Sequence, residues 1–90
     1  MAPADDWVKL RWEKSGRYYE AHLQQDLWGD WVVTWVWGRR GHRLGQVKHV
    51  PCASRQEGEE MLRQLDRTRR RRGYRLIRQE GALDLDRSTE

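Results

Sequence analysis

The sequence predicts an α+β fold: a single antiparallel β-sheet of about four to five strands with one α-helix packed across it. Three observations lead there. Runs of apolar residues with the two-residue period of half-buried strands fill the first half of the chain. Glycine-bearing segments of turn chemistry separate those runs at short intervals, as hairpins require. One stretch with helical spacing follows, opened by a serine cap and closed by a glycine.

Val8, Leu10 and Trp12 alternate with Lys9, Arg11 and Glu13, the pattern of a first strand with one buried face. Lys14-Ser15-Gly16-Arg17 supplies turn residues, and Tyr18 to Gln25 forms the second arm of a hairpin. Leu27-Trp28-Gly29-Asp30 makes the next turn. The third strand runs from Trp31 to Trp37, with Trp31, Val33, Trp35 and Trp37 on one face and Val32, Thr34 and Val36 on the other. Both faces are apolar enough to expect at least partial cover. Gly38 to Gly41 turns the chain again, and Leu44 to Val50 is a fourth strand that Pro51 should halt.

Ser54-Arg55-Gln56-Glu57 reads as a capping box, in which Ser54 accepts from the Glu57 amide and the Glu57 carboxylate reaches back to the Ser54 amide. Met61, Leu62 and Leu65 form the apolar stripe of the helix, while Arg63, Arg67 and Arg70 point elsewhere. Gly73 is placed to end the helix in the left-handed conformation, and Tyr74 to Ile77 is a short last strand. The expected domain spans residues 7–78, between a disordered N-terminus at 1–6 and an acidic flexible tail at 79–90.

Composition bounds the rest. Ninety residues make one domain, and Leu, Ile, Val and Phe together supply only 16 of them, below the roughly 20% that separates folded from disordered chains. Six tryptophans reverse that inference, because each can bury on the order of 150–250 Å². The net charge of +4 is unevenly placed: residues 37–50 carry four bases and no acid, residues 55–78 nine bases and four acids, residues 79–90 one base and four acids. The basic half begins at Trp37, and an anionic partner follows from that local concentration. With a single cysteine, no export signal and no membrane-length apolar run, a soluble cytoplasmic protein is expected.

Trp37-Gly38-Arg39-Arg40-Gly41 concentrates the candidate chemistry, since it ends an aromatic strand in a glycine turn and sets guanidinium groups beside an indole. A flat apolar ring next to permanent cations suits a sugar-phosphate backbone. This stretch, with Gly45-Gln46, Tyr18-Tyr19, Trp31-Val32-Val33, the Ser54-capped helix and the basic segment closed by Gly73-Tyr74, resembles the WGR domain family over roughly Leu10 to Tyr74. The resemblance implies the fold already read from the periodicity. It also implies a non-catalytic module that grips DNA at break ends, as in poly(ADP-ribose) polymerases, with Trp37 packing on a terminal sugar, Arg39 at the DNA contact and Arg69 standing where the family has a lysine. Stand-alone copies occur in bacteria. Nothing in the chain resembles the polymerase's catalytic domain or zinc fingers, and Arg40 stands where the family often has an apolar residue.

The candidate nucleic-acid-binding residues are therefore Trp37, Gly38, Arg39, Arg40 and Arg43, continued by Arg63, Arg67, Arg69, Arg70, Arg71, Arg72 and Tyr74. Each has a plainer reading: Trp37 as core filling, Arg39 and Arg40 as turn charges paired with Asp26 or Asp30, the Arg69–Arg72 run as a solvated helix end, and Tyr74 as a sheet residue. His42, His49 and Cys52 invite a metal, but His49 and Cys52 face opposite sides of a strand and no fourth ligand stands at zinc-like spacing. No nucleophile–base set, phosphate loop or paired carboxylates occur, so no enzyme, no cofactor, no metal and no small-molecule substrate are expected. The expected function is recognition of DNA ends, nicks or junctions with little sequence preference, RNA being the second choice of nucleic acid. The alternative is an adaptor whose third strand and arginines dock an acidic partner protein.

Overall fold

The computed structural model describes residues 7–43 and 45–86. The expected N-terminal disorder at 1–6, Leu44 and the last four residues of the tail lie outside the described residues. Strands β1 (Val8–Lys14), β2 (Arg17–Gln25), β3 (Trp31–Arg39) and β4 (Gln46–Cys52) precede helix α1 (Arg55–Arg71), and β5 (Arg75–Glu80) follows it. The sheet is antiparallel throughout, in the order β4-β3-β2-β1-β5. The last strand therefore returns beside the first, and α1 crosses one face on the way.

The alternating apolar residues meet on that covered face. Val8, Leu10 and Trp12 of β1, Ala21 and Leu23 of β2, Val33 of β3 and Leu62 and Leu65 of α1 are buried together as one core. Trp31, Trp35 and Met61 pack partly buried against it. Helix and sheet come close because residue 58 is glycine: a Cβ there would lie 2.3 Å from Leu23 Cδ1, on a side chain with no exposed surface to move into. Replacing glycine with alanine inside a helix normally stabilises by about 1 kcal/mol. At Gly58 overpacking of about 1–3 kcal/mol opposes that gain, so Gly58→Ala is expected to lower the urea midpoint, and a raised midpoint would contradict this packing.

The ends of α1 follow the sequence with one difference. The Glu57 amide donates to Ser54 Oγ at 3.1 Å, whereas the Glu57 carboxylate accepts from the Ala53 amide rather than from that of Ser54. At the other end Gly73 has φ +91°. Its amide donates to Arg70 O and that of Tyr74 to Arg69 O, both at 2.9 Å, the paired bonds of a Schellman closure.

Several expectations are corrected by pairing that only the assembled sheet supplies. Pro51 does not stop β4 but sits within it opposite Val32, because β4 is an edge strand whose outward amides need no partner. The last strand begins at Arg75 and runs to Glu80, so residue 78 falls inside a strand. Beyond it Leu83 and Leu85 pack against the core, and Asp84 O accepts from Arg63 Nε at 2.9 Å. Arg63, expected to point away from the core, is consequently buried beneath this segment.

The face of the sheet away from α1 is polar at its centre. Glu20 accepts hydrogen bonds from Arg11 and His22, with Lys9 3.8 Å away. Burial pushes the Glu20 carboxyl up, but the bonds from Arg11 and His22 and the charges of Lys9 and Arg11 outweigh it and hold the carboxyl below its ordinary value. A depressed carboxylate contributes stability that is fully present above the unfolded pKa of about 4.3 and fades as the pH falls through the lower folded value. Glu20→Gln should therefore flatten the acid limb of the stability–pH curve below about pH 4.5; an unchanged limb would assign it to other groups.

Candidate nucleic-acid interface

Register gathers the site at one end of the sheet. Arg17 pairs with Arg39, Tyr18 with Gly38 and Tyr19 with Trp37, so the β1–β2 turn lies beside the end of β3. The Schellman closure brings the end of α1 and Tyr74 to the same place. Tyr19 stacks on Trp37 with ring centroids 5.8 Å apart and planes 12° from parallel. Tyr74 meets Tyr19 edge-on at 5.7 Å. The Arg69 guanidinium lies 4.1 Å from the Tyr19 ring centroid and 5.1 Å from that of Tyr74, a geometry in which ring quadrupoles hold a cation without neutralising it. Arg69 Nε is buried with no hydrogen-bond partner.

These groups line an open cleft of about 840 Å³. Among the described residues its cations are Lys14, Arg17, Arg39, Arg69 and Arg72, its aromatic residues Tyr18, Tyr19, Trp37 and Tyr74, and no described carboxylate lines it. Trp37 is half-buried. It also borders a smaller recess of about 210 Å³, shared with Gly38, Arg39 and Gln46. A third recess of about 450 Å³ continues past Lys14 and Ser15 to Arg40 and Arg75. Arg17 and Arg39 stand directly opposite each other across two strands, an arrangement that costs stability until an anion sits between them. None of the described carboxylates lies within ion-pair distance of either.

The structure thus brings Trp37, Gly38, Arg39, Arg69, Arg72 and Tyr74 into one cleft. Arg40 lies next to it, 3.5 Å from Glu13 rather than from Asp26 or Asp30. Arg43 is exposed in the following turn, and Arg71 is exposed on the last turn of α1. Other members of the sequence set lie apart from the cleft. Arg63 is buried, Arg67 donates to Glu60 at 3.3 Å, and Arg70 donates to Asp66 at 2.9 Å. Sequence reasoning passed over Lys14, Arg17, Tyr18 and Tyr19 as site residues. The available signal was the hairpin itself, whose turn must fold back beside the end of the third strand.

The remaining candidates have ordinary structural roles. Trp31 and Trp35 pack partly buried against the core, so part of the aromatic face of the third strand is already covered. His49 shares a hydrogen bond with Thr34, and Cys52 Sγ donates to Val50 O. Burial and the charge of Glu57 push the Cys52 thiol up, against a backbone bond from Val33 that lowers it. No group of three or more potential metal ligands occurs among the described residues, and none of their helices is long and apolar enough to cross a membrane.

Comparison with known proteins gives one positive result: the WGR domain family model matches residues 8–81. No curated protein and no solved structure matches the chain. The matched span runs from the first residue of β1 to just past the last residue of β5. The chain belongs to the WGR domain family, whose module binds rather than catalyses and is known for nucleic-acid binding in poly(ADP-ribose) polymerase-like proteins.

Proposed function

We propose that the Trp37 end of the sheet binds nucleic acid, DNA in the first place, at ends, nicks or junctions, through sugar and phosphate contacts with little sequence preference. The observation that carries this is the cleft itself: among the described residues, an aromatic wall edged by five cationic side chains and no carboxylate. Arg17, Arg39 and Arg72 pair with successive phosphates, and Arg69 adds charge from its seat between two tyrosine rings. The exposed part of Trp37 packs on a sugar or base that an end or nick leaves uncovered. An intact duplex offers phosphates but no uncovered ring, so closed DNA binds more weakly. Phosphate contacts alone carry no sequence information, so little sequence preference follows.

The test is titration of short linear duplexes and of covalently closed circles across a salt series. With about four phosphates neutralised, log affinity for the linear form should fall against log salt with a slope near −3.6. Affinity indifferent to salt, or equally negligible binding to both forms, would overturn the reading.

A further inference from the structure

The hairpin tip between β2 and β3 carries the two most exposed large apolar residues among the described residues, and the cleft leaves both unused. Leu27 is 95% and Trp28 82% exposed. The loop beneath them is fixed. Asp26 Oδ1 accepts the amides of both Trp28 and Asp30 at 2.9 Å, the Asp26 amide donates to Asp30 O, and Gln25 Nε2 donates to Gly29 O, each at 2.8 Å. A tip held in this way presents its indole with little ordering entropy left to lose on docking.

We propose that the Leu27–Trp28 tip of one molecule docks into the Trp37 cleft of a second copy of this chain, head to tail, as a weak association that competes with nucleic acid. Charge complementarity selects this occupant. From residue 18 to residue 38 the chain has Glu20, Asp26 and Asp30 but no Lys or Arg, so the tip repels phosphates and a second tip alike. Asp30 is exposed, and no described cation pairs with its carboxylate. The cleft supplies the converse among the described residues, cations without carboxylates, and aromatic rings against which an indole can stack. Its volume of about 840 Å³ admits the tip's indole and isobutyl groups.

Tip and cleft stand at opposite ends of the nine-residue β3, about 30 Å apart at the rise of an extended strand, so the tip cannot reach its own cleft. The contact is therefore between molecules, and because tip and cleft differ it propagates into open chains instead of closing as a pair. Two such side chains and the surface they cover bury about 800 Å² in total, below the roughly 1,200 Å² of stable complexes. Association is thus expected only at high protein concentration. The proposal shares the cleft with the nucleic-acid reading; the competition with nucleic acid rests on that reading, and the contact between tip and cleft does not.

Complementation tests it. In low salt, sedimentation of the wild type should show a weight-average mass that climbs above 10.9 kDa between about 10 µM and about 1 mM. The tip variant Trp28→Ser and the cleft variant Arg17→Glu/Arg39→Glu, both altered only at exposed residues, should each remain monomeric, while an equimolar mixture forms a 1:1 dimer through the intact tip of one and the intact cleft of the other. Raised salt or excess short duplex should dissolve it. A wild type monomeric at 1 mM, a cleft variant that still self-associates, or a mixture that stays monomeric would each overturn the proposal. Trp28→Ser should bind DNA like the wild type, so failure of that binding would indict the nucleic-acid reading and leave the complementation result intact.

Discussion

Trp12→Ala is expected to lower the unfolding free energy by about 5 kcal/mol, enough to leave a domain of this size largely unfolded. Trp12 has no exposed surface, and truncating a buried tryptophan costs about 3–5 kcal/mol for lost burial and the cavity left behind. A second loss adds to it. Trp12 Nε1 donates at 2.9 Å to Asp66 Oδ1, a carboxylate that is only 4% exposed and retains Arg70 as its other donor. Removing one donor from a buried charged acceptor costs about 1–3 kcal/mol. Trp12→Phe keeps most of the volume and loses the bond, so its cost should be about 2 kcal/mol. Trp28→Ala, at the exposed hairpin tip, should stay within about 0.5 kcal/mol of the wild type. Urea unfolding of the three variants checks the order; equal losses at Trp12 and Trp28 would contradict the described core.

Arg17→Ala/Arg39→Ala is expected to weaken binding to linear duplex on the order of 100-fold at moderate salt, from two charge-assisted contacts of about 1.5 kcal/mol each. The salt series should separate this from a folding defect. Two lost phosphate contacts reduce the slope by about 1.8 units, whereas partial unfolding scales affinity without changing the slope. Because the two guanidiniums face each other across β2 and β3, their removal should leave the fold unharmed or slightly more stable. An unaltered slope would remove this pair from the interface.

The β1–β2 hairpin, the Trp31–Trp37 strand, the serine cap and the Gly73 closure were legible in the sequence because period, turn chemistry and capping are local properties of the chain. The faces of β3 were legible for the same reason. Arg63 was not, since nothing within the helix shows that Leu83 and Leu85 return to cover it. The six tryptophans were all available for the core by composition, yet Trp12 is sealed inside and Trp28 stands in solvent. That difference lies in position and not in residue type: Trp12 stands on the strand face that receives the helix, whereas Trp28 stands in the β2–β3 turn, off the sheet.

The sequence by itself determined the class of fold, the order of its elements, the aromatic character of the strand ending at Trp37 and the basic character of the segment after it. It did so because side-chain period and charge are written into the chain one residue at a time. Only the tertiary structure decided that β5 closes on β1, that Lys14, Arg17 and Tyr19 stand beside Trp37 and Arg39, and that Arg69 joins them from the far end of the helix while Arg63 does not. Those groups are separated by up to fifty-five residues along the chain, and only strand register and helix docking set the distances between them.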